Sequence, residues 1–240
     1  MNLEEFCDRF QVLQNQGSDT PELGEANRRL LRDFLQDPSW LGEFLQKFIA
    51  GPSFLSDQPV SVFDNEIRLY RSPDKSFSLL VYIWDSRGLC PVHDHGAWGI
   101  IGGLVGSLRE IKYQRMDDKQ VEGYAELRQV SDSLIKPEGV RPILPLDKGI
   151  HQTGSPDDRL TITFHIYGRS LGRGYIHFFD AAEKKVTRAS RRVPFRKVLA
   201  LQALASLEEA VGKKFLTQDL FKCLPEDLVK EFRRISLITE

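Results

Sequence analysis

PVHDHGAWGIIGGLVGSLREIKY, residues 91–113, joins two histidines one residue apart to an apolar run broken by glycines at 99, 102, 103 and 106. The run is too interrupted for a helix and rich in Ile and Val, which favour strands. Comparable short runs surround it: VSVF (60–63), FSLLVYIW (77–84), RLTITFHIYG (159–168) and YIHFFD (175–180), separated by Pro, Gly, Asp and Ser. Many short strands with no helical period between them predict a closed all-β barrel or sandwich and disfavour a βαβ sheet.

Helical periodicity flanks this middle. Before it, Leu30, Leu31, Phe34 and Leu35, then Trp40, Leu41, Phe44, Leu45 and Phe48, recur at helical spacing up to a stop at Gly51-Pro52. Thr20 before Pro21 reads as a helix N-cap followed by proline in the first turn. After it, Val198, Leu199, Leu201, Leu204, Leu207 and Val211 form one stripe, and Leu224-Pro225-Glu226 opens a last helix. The expected organisation is an N-terminal helical segment over 1–56, a barrel over 57–182 and a C-terminal helical extension over 183–240. The basic run Lys184 to Lys197, with Arg188, Arg191, Arg192 and Arg196, reads as a solvated linker face.

Composition narrows the partners. The 33 Lys and Arg against 34 Asp and Glu give a net charge of -1, without the basic footprint of a nucleic-acid binder. Cys7, Cys90 and Cys223 are scattered and form no CxxC pair, so neither a disulfide scaffold nor a thiolate zinc site is indicated. The acidic start MNLEEFCDRFQ has no apolar core, and no run is long enough to span a membrane. The expectation is a soluble cytoplasmic protein with a small-molecule partner, no nucleic acid and no membrane.

All five histidines fall in the β-rich middle. On a strand His93 and His95 point to the same side and can grip one ion; a surface or internally satisfied pair reads equally well from the spacing alone. The same alternation puts Cys90 on the face opposite His93. A second segment, GVRPILPLDKGIHQTG (139–154), brings His151 onto a strand after a glycine. This two-segment frame resembles the cupin pattern, in which HxH and a later histidine come from different strands of one barrel. The usual cupin motif adds a glutamate shortly after HxH, whereas Gly96 to Ile101 holds no carboxylate. The expected set is therefore three neutral histidines: imidazole alone does not choose among Fe, Zn, Cu and Ni. Three facial ligands leave room for a bidentate substrate and O2, and an uncompensated metal charge favours a thiolate. Iron can then pass electron density from sulfur to O2, which zinc cannot.

Thr163, His165 and Tyr167 alternate with Phe164 and Ile166. The polar set faces the barrel interior if the apolar set packs under helices, and solvent if not. HDH, then IH, then a (Ser/Thr)-x-His-x-Tyr row together resemble cysteine dioxygenase-like thiol dioxygenases of the cupin superfamily, over about Ile67 to Tyr167. The resemblance implies a cupin double-stranded β-helix, Fe(II) held by His93, His95 and His151, and a Tyr167 hydroxyl oriented by His165 and Thr163 against substrate or oxygen. It implies a basic residue for the substrate carboxylate, best matched by Arg68, with Arg71 next and Arg169 or Arg173 as alternatives. Eukaryotic members carry a cysteine after HxH that crosslinks to the tyrosine, where Gly99 and Ile100 stand here. Gly168 after Tyr167 resembles bacterial relatives that take 3-mercaptopropionate, but those have glutamine at the position matched to Arg68. The implied activity is oxidation of L-cysteine to cysteine sulfinate, with 3-mercaptopropionate as the alternative substrate. A non-catalytic metal-binding cupin that senses a small ligand, or another cupin enzyme, is the reading from outside this class.

Overall fold

The computed structural model describes residues 1–16, 25–50, 62–63, 65–84, 88–172, 174–190, 214, 216–222, 224 and 229. The chain divides into two compact units, Met1–Pro59 with Phe63–Ser190, and Val60–Val62 with Arg191–Glu240. The Thr20-Pro21 cap, the Gly51-Pro52 stop, the Val198–Val211 stripe, the helix start at Pro225, Arg173 and residues 191–197 of the basic run fall outside the described residues. In the second unit the described residues contain one short helix, Gln218–Lys222, capped by Thr217 Oγ1, which accepts the Leu220 N–H.

The first unit begins with three helices: α1 (Leu3–Gln16), α2 (Glu25–Leu35) and α3 (Ser39–Ala50). The Asn2 side-chain oxygen caps α1 by accepting the Glu5 N–H at 2.8 Å, and Asp37 does the same for Ser39 ahead of α3 at 3.0 Å. Among the described residues eleven strands follow: β1 (Glu66–Arg71), β2 (Phe77–Trp84), β3 (Val92–His93), β4 (Gly99–Val105), β5 (Leu108–Arg115), β6 (Leu127–Ile135), β7 (Val140–Ile143), β8 (His151–Gly154), β9 (Thr161–Gly168), β10 (Tyr175–Asp180) and β11 (Lys185–Ser190).

They form two antiparallel sheets, ordered β1-β2-β9-β4-β7 and β11-β10-β3-β8-β5-β6. The inner orders 2-9-4-7 and 3-8-5-6 are those of an eight-stranded jelly roll, the mainly β barrel expected from the sequence. One expectation is corrected. Residues 185–190, assigned by sequence to the helical extension, form β11, paired along its length with β10. Its Lys and Arg content, which reads as a linker, is also how a sheet edge is kept from pairing with other chains.

The helices cover the outer face of the first sheet. Phe6, Phe10, Leu31, Phe34 and Trp40 from the helices share one buried core with Phe77, Leu79, Val81, Ile100, Phe164 and Ile166 from β2, β4 and β9. Phe164 is fully buried and meets Phe34 edge-on at 5.4 Å and Phe6 at 5.7 Å. Strand alternation then leaves Leu80, Tyr82 and Trp84 of β2, and Thr163, His165 and Tyr167 of β9, facing into the barrel. Because Phe164 ties helices to sheet, Phe164→Ala is expected to cost about 3–5 kcal/mol in urea unfolding.

Candidate metal centre

His93 pairs with His151 across β3 and β8. Strand β3 ends at His93, so His95 comes from the turn that follows, not from strand alternation. That turn is held by its own backbone: His95 O accepts the Leu146 N–H at 2.8 Å, and Gly96 O accepts the Leu171 N–H at 2.8 Å. The intervening Asp94 is fully buried and binds away from the cluster, accepting the His177 N–H at 2.7 Å and its Nδ1–H at 2.9 Å.

The donor nitrogens of buried His93, His95 and His151 lie within 4.8 Å of one another. His93 Nδ1 lies 2.8 Å from the Pro91 carbonyl, which can only accept, so the proton sits on Nδ1 and the Nε2 lone pair is free. His151 Nδ1 lies 2.8 Å from the Glu110 carboxylate, with the same result. His95 Nε2 and His151 Nε2 are 2.9 Å apart, close to the roughly 3 Å between two imidazole nitrogens held at a right angle by one ion at about 2.1 Å. The tautomers of His93 and His151, the burial of all three rings and the His95–His151 spacing fit a bound metal ion.

Glu110 modifies the expectation of a wholly neutral set. Its side chain is 1% exposed, and Lys112 Nζ stands 3.5 Å from Oε2, an ion pair without hydrogen-bond geometry. Burial pushes the carboxyl up, but the bond to His151, with Lys112, outweighs it and holds it below the usual range. The carboxylate missing after HxH is thus present at one remove, behind His151. A charged residue two places after the fully buried Leu108, on an alternating strand, is the sequence signal that could have revealed it.

The row on β9 points inward. Thr163 Oγ1 is 2.8 Å from His165 Nε2, and His165 Nδ1 is 3.3 Å from the Tyr167 hydroxyl. Trp84 Nε1–H donates to Thr163 Oγ1 at 2.9 Å, and Tyr82 donates to Glu66 Oε2 at 2.5 Å. Tyr167 stacks beside His95 with ring centroids 5.6 Å apart. Burial pushes the Tyr167 and Tyr82 hydroxyls well above their ordinary range, with the Glu66 charge adding to the shift of both.

Phe63, Tyr82, Trp84, Cys90, His93, His151, Thr153, His165 and Tyr167 line one cavity of about 240 Å³ of atom-free space, including the part open to solvent. Of these, Phe63, Tyr82, Trp84 and Thr153 had no sequence signal apart from the β-rich texture. Cys90 is a correction: instead of facing away, its Sγ lies 3.7 Å from His93 Nδ1 and 3.6 Å from Thr153 Oγ1. Alternation does not carry from His93 back to Cys90, because β3 begins only at Val92, after Pro91.

Arg68 is half-buried on β1 opposite Leu80, which is itself opposite His165, so all three share the barrel-facing side. It is not among the cavity-lining residues. Arg71 ends β1 and is exposed, and Arg169 is exposed just after β9.

The strand order and the enclosed histidine group define a cupin-type jelly roll with a candidate metal site. No family model matches the chain. Solved structures to which it is similar include the Cupin 2 conserved barrel domain protein of Salinispora arenicola CNS-205, at 15% identity over 45% of this chain and 80% of that one, with a TM-score of 0.33. Another is Rru_A2000 of Rhodospirillum rubrum, a cupin-2 domain, at 12% identity over 49% and 66% with a TM-score of 0.37. A third is the cupin-like protein tm1010 of Thermotoga maritima msb8, at 13% identity over 50% and 83% with a TM-score of 0.33. No helix among the described residues is long and apolar enough to cross a membrane.

Two outcomes are expected from this geometry. Glu110→Gln keeps the shape but not the charge behind His151, and is expected to weaken metal binding by about 10- to 100-fold in a chelator competition. Burial lowers His93 and His165 from 6.5 to about 3, so in metal-free protein both stay neutral when folded but take up protons when unfolded. Their contribution to stability is complete above 6.5 and declines as pH falls towards 3. Each adds a slope of up to about 1.4 kcal/mol per pH unit. Urea midpoints of chelated protein should therefore fall on acidification, and less steeply for His165→Gln.

Proposed function

We propose that the chain is a non-haem iron thiol dioxygenase that converts L-cysteine and O2 to cysteine sulfinate, both oxygen atoms going to sulfur. The observation that carries this reading is the meeting, along one cavity, of His93 and His151 from the three-histidine group with His165 and Tyr167 from the inward row that Thr163 continues. His93, His95 and His151 would hold Fe(II), which when bound supplies a centre where a thiol and O2 can be brought together and sulfur oxidised.

The rest falls to the protein. Burial keeps the Tyr167 hydroxyl protonated, so it meets substrate as a neutral polar group and not as an anion. Phe63, Tyr82 and Trp84 wall the cavity with aromatic surface, which limits water around a reactive sulfur intermediate. Arg68, on the barrel-facing side of β1, is the proposed partner of the substrate carboxylate, a task its planar fork suits. A second reading, 3-mercaptopropionate, draws on the resemblance to relatives with glutamine at the position of Arg68, since Arg68 is not among the residues that line the cavity. The proposed partners are a small thiol and O2, and a reducing cytoplasm would keep that thiol available.

The test is O2 uptake and sulfinate formation by anaerobically iron-loaded protein, with kcat/KM compared for cysteine, 3-mercaptopropionate and cysteamine. Cysteine is expected to be preferred. Cysteamine, which lacks the carboxylate, should fall by about 10- to 100-fold, the value of one charge-assisted hydrogen bond. Arg68→Ala should erase that difference. If neither acidic thiol drives uptake by protein with stoichiometric iron, the dioxygenase reading is wrong and a non-catalytic ligand-binding cupin replaces it.

A further inference from the structure

Trp84, the last residue of β2, lines the cavity and donates its indole N–H to Thr163 Oγ1 at 2.9 Å. Thr163 Oγ1 is 2.8 Å from His165 Nε2, and His165 Nδ1 is 3.3 Å from the Tyr167 oxygen. Distances do not say which atom owns each proton along this row, but donor and acceptor capacities do.

An indole N–H only donates, and a threonine hydroxyl has one proton and two lone pairs. Burial keeps His165 neutral, so its ring carries a single N–H. With that proton on Nε2, Thr163 would receive two donors while its own proton faced no acceptor among the described residues. With it on Nδ1, every group is satisfied: Trp84 donates to Thr163, Thr163 to His165 Nε2, and His165 Nδ1–H to the Tyr167 oxygen. The Tyr167 hydroxyl is also hydrogen-bonded with that of Tyr82, whose own proton goes to Glu66.

We propose that Trp84 is a positioning residue that sets the proton order of the row, holding His165 as the Nδ1–H tautomer and making the Tyr167 oxygen an acceptor from the imidazole. This rests on the proposed function in taking the cavity as the substrate site. The proton order itself involves neither iron nor thiol.

The experiment reads ring-nitrogen chemical shifts by NMR on the full chain, labelled in histidine and loaded with diamagnetic zinc. Protonated and unprotonated imidazole nitrogens are well separated, and His165 is assigned by its loss in His165→Gln. The expected result is a protonated Nδ1 and an unprotonated Nε2 in the wild type. Trp84→Phe is expected to move part of the population to Nε2–H, because Thr163 regains a lone pair and its hydroxyl is free to rotate. Thr163→Val, the variant to use if Trp84→Phe does not fold, should do the same by removing the donor to Nε2. A protonated Nε2 in the wild type overturns the proposal, and so do unchanged His165 shifts in the folded variants. Neither result bears on O2 uptake, so this inference and the dioxygenase reading fail separately.

Discussion

A strand can offer a hydrophobic row to one side only by offering the intervening residues to the other, and this protein depends on that constraint at β9. Phe164 and Ile166 are committed to the aromatic layer beneath the three N-terminal helices. Thr163, His165 and Tyr167 are therefore delivered to the barrel interior as a set. The helices, which contribute nothing to the cavity lining, still decide which way the polar row faces. Burying Phe164 is worth several kcal/mol, enough to offset the desolvation of inward hydroxyl and imidazole groups only because those groups bond one another.

The second sheet supplies the histidines under a different rule. His93 and His151 meet through strand pairing, but His95 arrives through a turn fixed by backbone bonds to Leu146 and Leu171. Nδ1 of His93 and Nδ1 of His151 each meet an acceptor, the Pro91 carbonyl and the Glu110 carboxylate, which leaves the Nε2 lone pairs of these two rings for a metal ion. Asp94, between the two histidines, joins β3 to β10 through His177 and so braces the turn from outside.

Much of this was legible in the sequence, for identifiable reasons. The inner strands β2, β4, β5 and β9 have apolar or alternating texture, and HDH, IH and the β9 row mark a barrel with a polar interior. Strands β6, β7 and β11 were hidden because they lie at or near sheet edges, where exposed polar residues replace the alternation; β6 is exposed at most of its positions. Glu110 escaped notice because its partner is distant in sequence. Cys90 was misplaced because a strand pattern was carried across Pro91 into residues that do not continue the strand.

Gly99 lies within β4, opposite Tyr167 on β9. A Cβ at this position would come within 2.8 Å of two atoms of the Tyr167 ring, closer than real side chains approach. The tyrosine therefore occupies the volume that any other residue at 99 would claim. A side chain at 99 and the Tyr167 ring in its present place therefore exclude one another, so the smallest residue on β4 fixes where the largest polar group of β9 can stand.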